Sequence, residues 1–584
     1  MKIEIKRTKI LISVIFLIVT LASSFAGYVY GQSGSTTFTI SSGVYPGSPS
    51  YTIYVEDGTY KAKNAYGYIS WSSTESTVII NNAMDSLTTG TIQLKSGTYT
   101  INRLTSNKES TTLSDRFPLF VEDTQSIKII GEPGVVLRAG DGENVGIFYV
   151  EIDGYLELEN MELDGNYAAQ TFSGEPIPDE EDLYCVYHNG MSDDSIGLVM
   201  ENVWVHDATT DNIAVVRDGT YIISNVKSTH AQYDSLIVGG ETTNAHVLVT
   251  NWISDNSWVE LRTSGKIYFN GAYMQGDNST TPLLSISSGS PVVEVNNFII
   301  YNGQIQSDSS GYPTVLLSNG FIDNGRIVLF RCNGAIVNVN QTGSSTNGLE
   351  LWGCQNLAVQ SSSFSSNTQV GILLVNISST VHNVGLTFDG VTVIDNTDGG
   401  MQFHDDCTIQ ISNFVGVGTG ITNPLINVLA GYTPTIFLNN YKLTDGRIVC
   451  SGYTKVSLNN GEIINGHIIL YRASGSISQL YQVGTSGTNG IEMRGSQNMT
   501  ISNCNLQSNY RAIFLLSDTI HSTNNQFSNI FAQLNGVATI YETDANQDYN
   551  TYSNINGRGD LWYILTSGAN SHVSSSWNQT SWIP

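Results

Sequence analysis

Apolar and polar residues alternate along this chain in short runs that return every 20 to 25 residues. The clearest example is a doublet, in which VLLSNGFIDNGRIVLFRCNGAI begins at Val315 and VSLNNGEIINGHIILYRASGSI begins at Val456. A shorter beat lies inside the copies, because LNNYKLTDGRI at Leu438 is followed 20 residues later by LNNGEIINGHI at Leu458. Period-2 runs predict strands with one buried face, and a repeat of this length predicts a solenoid.

We interpret each repeat as one coil of a right-handed parallel β-helix, an all-β fold. In VSLNNGEI, the apolar Val456, Leu458 and Ile463 flank an Asn-Asn-Gly corner. Asn and Gly tolerate the left-handed backbone that a sharp corner needs. Asn side chains at successive corners are expected to form hydrogen-bonded ladders, as stacked Asn does in cross-β structures. One coil cannot bury its apolar side alone, so the coils must stack.

The N-terminus is typical of an export signal. Four basic residues within the first nine precede an apolar run that ends on Ser24-Phe25-Ala26, which predicts a signal peptide over residues 1–26. The run is also long enough to be retained as an N-terminal membrane anchor, so both interpretations stay open. Residues 27–70 are predicted to form an N-terminal extension.

The solenoid is predicted over residues 71–545, with residues 546–584 as a C-terminal cap or tail. It should open with a capping helix at about 74–88, for which Ser73 is the expected N-cap. Ile79, Ala83 and Leu87 would form the buried face of this helix. A lone amphipathic helix in this place is expected to cover the open end of the stack.

The segment after this helix carries a family resemblance. VIINNAMDSL, GTIQLKSGTYTI and IKIIGEPGVVLRAG follow one another, and together they resemble the start of the pectin-lyase-like β-helix superfamily. That superfamily includes polysaccharide lyases, polygalacturonase-type glycoside hydrolases and tailspike proteins. The resemblance covers roughly residues 50–560 and implies a parallel β-helix that engages polysaccharides, although a fold alone does not assign an activity.

Composition narrows the choice of partners. The formal net charge is −26 and charged residues make up only 13% of the chain, which disfavours nucleic acid and anionic membranes as partners. An acidic protein also repels a polyuronate unless Ca²⁺ or a local basic patch intervenes. Cys332 and Cys354, 22 residues apart, should be neighbours in the stack, either as a disulfide or as two buried thiols.

The best candidate site follows a long insertion at about residues 167–196. Hydrolysis of a glycosidic bond needs two carboxyl groups, and carboxylates brought close together shift one pKa upward. His230 comes 24 residues after His206, and Asp234 comes 23 after Asp211, so neighbouring coils should align them. The predicted catalytic residues are Asp207, Asp211, His230 and Asp234, and the predicted substrate-binding residues are His206, Asp255, Trp258, Glu260 and Arg262. The alternative is that the acids cap turns and the histidines lie on the surface.

A second acidic stretch is FDGVTVIDNTDGGMQFHDDC, which contains Asp389, Asp395, Asn396, Asp398, His404, Asp405 and Asp406. Asn396-Thr397-Asp398-Gly399 and the paired acids resemble elements of polygalacturonases. The two elements lie about half a coil apart instead of one coil, and neither a following His-Gly nor an Arg-Ile-Lys motif is present. The polygalacturonase activity is therefore not carried over, and this stretch is expected either to hold a hard cation or to supply turn acids.

These patterns predict a secreted or cell-surface β-helix protein that engages an extracellular polysaccharide. As an enzyme it would be a glycoside hydrolase more readily than a lyase, because of its charge. The competing prediction is a non-catalytic structural or adhesion protein of the cell surface. No cofactor is required by the sequence, Ca²⁺ is a compatible ion, and membrane contact is expected only through the N-terminal segment.

Overall fold

The computed structural model describes residues 48–104, 116–170, 183–239, 244–308, 311–378, 380–543, 549–558, 560, 562–565, 571–577 and 582–583. The predicted signal or anchor (1–26) lies outside these residues, as does the centre of the insertion (171–182). Within the described ranges, no helix is long and apolar enough to cross a membrane.

Strand pairing confirms the predicted all-β parallel β-helix. Each strand pairs in parallel with the strand one coil later, so that Ile327 lies opposite Leu349 and Leu349 lies opposite Ile372. Antiparallel pairing is found at the two ends of the stack, between the first three strands and between the last two. The architecture agrees with the pectin-lyase-like fold that the resemblance implied.

Two sheets, here named A and B, run along the stack. Sheet A contains the strands Tyr51–Glu56, Thr59–Asn64, Ile69–Ser73, Thr89–Leu94, Gly97–Ile101, Ser126–Gly131, Val135–Ala139, Tyr155–Asp164, Ile196–His206, Gly219–Ser224, Lys227–Thr229, Ala245–Asp255, Lys266–Gln275, Val292–Tyr301, Thr314–Asp323, Asn333–Thr342, Leu357–Gln360, Ser363–Ser365, Leu386–Asp389, Thr392–Ile394, Thr408–Val417, Thr435–Thr444, Lys455–Ile464, Ser474–Val483, Met499–Gln507, Gln526–Gln533, Thr551–Arg558, His572–Trp577 and Trp582–Ile583. Sheet B contains the strands Leu119–Val121, Phe148–Val150, Val186–His188, Ile213–Val215, Asp234–Val238, Trp258–Arg262, Pro282–Ser288, Gln304–Ser307, Arg326–Phe330, Leu349–Trp352, Val370–Val375, Gly399–His404, Pro424–Val428, Arg447–Cys450, His467–Tyr471, Asn489–Arg494, Arg511–Leu516, Ala538–Glu542 and Trp562–Leu565.

Sheet A bends in the middle of each coil at a residue with left-handed backbone, which is usually Asn. Asn202, Asn225 and Asn251 have φ values of 56°, 52° and 53°. The amide of Asn225 donates to Asn202 over 3.1 Å, and that of Asn251 donates to Asn225 over 2.7 Å. The predicted asparagine ladder is therefore present, and it holds the corners of successive coils in register.

The capping helix is shorter than predicted and spans Ser76–Asp85. The predicted N-cap is wrong: Glu75 occupies that position without a side-chain cap, while the Ser73 hydroxyl accepts a 3.1 Å hydrogen bond from the Glu75 N–H. Ser73 ends a strand of the antiparallel start, so the helix begins only afterwards. Ile79 and Ala83 are buried as predicted, and the helix packs on the first strands of the stack. A single-turn 3₁₀ helix spans Tyr167–Ala169.

The core is formed by inward-facing Val, Ile, Leu and Phe side chains in columns along the stack. Cys332 and Cys354 lie in this core as two free, fully buried thiols and not as a disulfide. Their Sγ atoms lie 3.3 Å from the carbonyl oxygens of Phe330 and Leu329, respectively. The thiol alternative therefore describes this pair.

Candidate functional site

The predicted site residues fall into two groups on the two sides of one turn. His206 ends a sheet A strand, Asp207 takes a left-handed φ of 54°, and the chain then turns into the sheet B strand Ile213–Val215. His230 occupies the matching corner one coil later, with a φ of 53°. The side chains before this corner therefore belong to sheet A, whereas Asp234, Glu260 and those around them belong to sheet B.

The first group, which we name the corner cluster, consists of Glu162, Asp164, His206, Asp207 and His230. Nδ1 of His206 lies 2.6 Å from the Asp207 carboxylate, and its Nε2 lies 3.2 Å from that of Glu162. His230 Nδ1 lies 4.0 Å from Asp207 on the other side. The two histidines therefore meet at one carboxylate, as the one-coil spacing predicted.

Ligand atoms of Asp164, His206 and Asp207 lie within 4.8 Å of one another, close enough to share a metal ion. Their present contacts disfavour such an ion. Both ring nitrogens of His206 already lie against carboxylates, and Asp164 accepts a 2.7 Å hydrogen bond from the Asn166 N–H and pairs with Arg138 at 3.3 Å. Ca²⁺ also prefers an all-oxygen ligand set. The corner cluster is best described as a closed ionic network.

The second group, which we name the carboxyl cluster, consists of Asp234, Glu260 and Arg262 on sheet B and of Asp211, which lies just before the sheet B strand Ile213–Val215. Asp211 Oδ1 accepts a 2.7 Å hydrogen bond from the Asp234 N–H. Glu260 accepts hydrogen bonds from Arg262 over 2.6 Å and from the Ser287 hydroxyl over 2.7 Å. Asp234 is only 4% exposed, and its Oδ1 has no hydrogen-bond partner among the described residues.

The two central acids of the carboxyl cluster, Asp234 and Glu260, have pKa values that are shifted in opposite directions. Burial, with the charges of Asp211 and Glu260 next to it, raises the pKa of Asp234 to about 9. Burial also works to raise the pKa of Glu260, but hydrogen bonds from Arg262 and Ser287 outweigh it and leave that pKa below its usual value. At neutral pH the cluster therefore holds a neutral carboxylic acid beside a carboxylate, which is the arrangement that acid–base catalysis requires.

An aromatic surface extends from the carboxyl cluster along the same face of sheet B. Strand register places Phe120, Tyr149, Tyr187, Ala214, Ile237 and Glu260 in one column. The rings of Phe120 and Tyr149 stack at 5.1 Å, and those of Tyr149 and Tyr187 stack at 5.2 Å. Tyr149 is only 4% exposed, because Phe120 and Tyr187 cover its two faces. Ala214 and Ile237 lie between these rings and Glu260, so the rings, here named the tyrosine platform, form a packed stack in line with the acid pair.

Two other predicted binding residues, Trp258 and Asp255, belong to neither cluster. Trp258 is half-buried and lies opposite Asp234 in strand register, beside the carboxyl cluster. Asp255 lies in the same column as His206, but Thr229 separates the two. Its Oδ1 is buried without a hydrogen-bond partner in the described structure.

The second acidic stretch is dispersed around its coil. Asp389 accepts hydrogen bonds from Ser412 and Asn413, and Asp405 is fully buried against Asn383 and His382. Three more members also serve the coil: Asp395 is a left-handed corner, Asn396 joins a buried amide ladder, and Asp406 accepts the Thr433 N–H. Asp398 is exposed, and the ring of His404 stacks on that of Tyr432 at 6.0 Å. Within the described residues these acids form no shared cation site.

Sequence reasoning missed Glu162, Asp164 and the tyrosine platform. Glu162 and Asp164 lie one coil before His206, but the insertion places them 44 and 42 residues earlier in the chain. The expected spacing of 20 to 25 residues therefore did not connect them. Tyr184 and Tyr187 lie within the insertion, and this pair of tyrosines was the available signal.

Comparison with known proteins finds no matching family model and no matching curated protein. The chain is similar to solved structures at low identity. One is the A-module of the Azotobacter vinelandii mannuronan C-5 epimerase AlgE6, at 11% identity over 87% of this chain and 96% of that chain, with a TM-score of 0.16. Another is an N-terminal fragment of bacteriophage Phi29 gene product 12, at 12% identity over 85% and 90%, with a TM-score of 0.40.

A third similar structure is the catalytic unit of a GH87 α-1,3-glucanase from Streptomyces thermodiastaticus strain HF3-3. It shares 11% identity over 87% of this chain and 68% of that chain, with a TM-score of 0.23. Likenesses this weak transfer neither an activity nor a residue role to this chain. Its fold is evident from its own strand pairing.

Proposed function

We propose that this protein binds a polysaccharide along the outer face of sheet B and hydrolyses a glycosidic bond at the carboxyl cluster. The observation that carries the proposal is the buried Asp234, whose Oδ1 has no hydrogen-bond partner among the described residues, beside Glu260, which accepts hydrogen bonds from Arg262 and Ser287. A buried carboxyl oxygen without a hydrogen-bond partner is costly, so a purely structural coil gains nothing by keeping it.

In the proposed reaction Asp234 and Glu260, whose side chains are in contact, act as one unit that holds a single acidic proton. The unit protonates the glycosidic oxygen as the bond to the anomeric carbon breaks. Water then adds to that carbon, and its proton returns to the unit, so that one water molecule is consumed. Arg262 stabilises the negative charge that the unit carries between the two steps.

Hydrolysis is favoured over elimination because elimination needs a cation to neutralise a uronate carboxyl group. The only cation of the carboxyl cluster, Arg262, is already paired with Glu260. The two charged carboxylates around it, those of Asp211 and Glu260, repel a uronate. The substrate at this point of the chain is therefore a neutral or sparsely charged sugar.

The proposal also includes export of the protein from the cell. Residues 1–26 have the pattern of a signal peptide or anchor, and a polysaccharide is an extracellular substrate.

The test is to incubate the full chain with a panel of neutral and acidic polysaccharides and to assay both reducing ends and unsaturated products. Asp234→Asn and Glu260→Gln should each lower the rate of reducing-end release by about 10²-fold or more. Glu462→Gln is the matched control, because Glu462 is an exposed acid on sheet A that pairs with Lys442. Release of unsaturated products would show that the reaction is elimination and not hydrolysis. Equal rates in all variants would show that the carboxyl cluster is not the catalytic site.

The non-catalytic alternative is favoured by the asparagine ladder, which serves a long rigid spacer as well as an enzyme. The same panel decides between the two. A structural or adhesion protein would bind a glycan without releasing any product.

A further inference from the structure

The two copies of the doublet carry different charges on the outer face of sheet B. In the first copy, Gln304 lies opposite Arg326 in strand register; in the second, Arg447 lies opposite His467. The next strands begin near Asn347 and at Asn489, so this position is conserved between the copies. One strand further, the second copy has Arg511, whereas the residue 142 positions earlier is Gln369.

In the first copy the cation on this face, Arg326, already donates hydrogen bonds to three residues. Arg326 donates to Glu350 over 2.9 Å, to Thr346 over 3.0 Å and to Gln304 over 2.6 Å. Asn347 donates to the same carboxylate over 3.1 Å. This face therefore forms a closed hydrogen-bond network that needs no ligand.

In the second copy the corresponding acid, Glu492, accepts hydrogen bonds from residues other than Arg447 and Arg511. Glu492 accepts hydrogen bonds from Arg494 and, over 2.9 Å, from Asn489. Arg447 and Arg511 form no ion pair with any described residue. The Nε atoms of both arginines are buried with no hydrogen-bond partner in the part of the chain that the structure describes, and so is Nδ1 of His467, a residue that is only 8% exposed.

The guanidinium group of Arg511 is held in place by aromatic rings. It lies 4.3 Å from the ring centroid of Phe514, 4.7 Å from that of Tyr541 and 4.5 Å from that of Tyr510. Rings stacked on the face of a guanidinium leave its N–H groups to donate in the plane. Among the described residues only Asn489 accepts from them, over 3.5 Å. Arg511 is thus a preorganised donor whose N–H groups are largely unused.

We propose that this face, formed by Arg447, His467, Asn489 and Arg511, binds an anionic polysaccharide. Carboxylate or sulfate groups of the chain would pair with Arg447 and Arg511, because oxyanions accept from guanidinium groups in the plane of their N–H donors. The two arginines begin strands three steps apart, about 14 Å along the stack. That separation fits an oligomer lying along the solenoid axis and exceeds the reach of a single sugar.

This site is separate from the proposed site of hydrolysis. Arg447 begins the eighth sheet B strand after that of Glu260, about 40 Å along the stack. A nucleic acid is the less suitable polyanion, because the chain has a net charge of −26 and the rings at this site already stack on Arg511. The site is the local basic patch that an acidic protein needs in order to hold an acidic glycan.

Isothermal titration of the full chain tests the proposal with four probes: an oligogalacturonate, a heparin-derived sulfated oligosaccharide, a carboxyl-reduced neutral oligosaccharide and single-stranded DNA. One of the two acidic saccharides should bind, and its identity distinguishes carboxylate from sulfate. Arg447→Gln and Arg511→Gln should each raise the Kd about tenfold. Lys442→Gln, which removes the same charge from sheet A, should leave the Kd unchanged.

Asp234→Asn should bind as the wild type does, so loss of catalysis and loss of this site are separable. Arg511→Lys keeps the charge and the fold but removes the planar donor, and it should weaken binding by an intermediate factor. The proposal is overturned if no acidic saccharide binds, if the neutral saccharide or the DNA binds as tightly, or if both glutamine variants retain the wild-type Kd.

Discussion

Oδ1 of Asp211 accepts a 2.7 Å hydrogen bond from the backbone N–H of Asp234, which lies 23 residues later and one coil further along the stack. This contact fixes one carboxylate beside a second carboxyl group that has little access to water. It contributes, after burial itself, to the raised pKa of Asp234. The solenoid repeat thus produces the acid pair on which the proposed reaction depends.

The raised pKa of Asp234 makes stability depend on pH. Folded Asp234 keeps its proton up to a pH of about 9, whereas the unfolded group releases it at about 3.9. Between these values the folded state binds more protons, so stability falls as pH rises, by about 1.4 kcal/mol per pH unit at most. Asp234→Asn should flatten this slope and raise the Tm at neutral pH, as measured by thermal unfolding between pH 5 and 8.

Asp389→Asn is the control for that measurement, because Asp389 is an exposed corner acid with Ser412 and Asn413 as donors. It should leave the pH slope of the Tm as in the wild type. A slope in Asp234→Asn equal to that of the wild type would show that Asp234 is ionised in the folded chain.

The asparagine ladder predicts an order among substitutions at Asn225. Its φ of 52° is unfavourable for Ala but open to Gly, and its side chain bonds to Asn202 and Asn251. Asn225→Gly should cost about 1 kcal/mol for the lost ladder, and Asn225→Ala about 1–2 kcal/mol more for the backbone. Urea unfolding checks this order, and equal losses in the two variants would contradict the backbone part of the explanation.

Gly461 is required by the ring beneath it. A Cβ at this position would lie 2.0 Å from Cζ of the buried Tyr441, one coil earlier. Gly461→Ala should therefore destabilise the chain by about 1–3 kcal/mol, the usual cost of overpacking. In the double variant with Tyr441→Val the penalty for the alanine should largely disappear, since the ring is gone. A double-mutant cycle by urea unfolding measures the coupling, and strict additivity would exclude the clash.

The cysteines should react only after unfolding. All six are free and buried, and burial raises the pKa of the Cys450 thiol to about 12 and that of Cys504 to about 11. Thiol labelling of the folded chain should be slower than in denaturant by orders of magnitude, because the thiolate is the reacting form. Rapid labelling under native conditions would mean that the coils open locally.

Much of the fold was predictable because the solenoid repeat is local. The beat at Leu438 and Leu458 places the two residues opposite each other in neighbouring strands. The meeting of His206 and His230 at Asp207 follows from the same spacing. A start at Ser76, after the strand that ends at Ser73, was not predictable from capping preference alone, since Ser73 satisfies the rule for an N-cap while belonging to a strand.

The site was predictable only in part, because a corner divides it. Asp207 and Asp211 are four residues apart and were expected to act together, but the left-handed backbone at Asp207 turns the chain from sheet A to sheet B between them. The basic face of the second copy also could not be predicted from the sequence. Whether Arg447 and Arg511 lack acceptors depends on how Glu492 is occupied, and spacing does not reveal that.

The most direct test is the protonation state of Asp234, read by infrared difference spectroscopy of the full chain against Asp234→Asn. We expect the wild-type chain to show a carboxylic-acid C=O band at neutral pH that is absent from Asp234→Asn. In the wild type this band should be lost only near pH 9. No difference in that band at neutral pH would mean that Asp234 is a carboxylate, and the proposed proton donor would not exist.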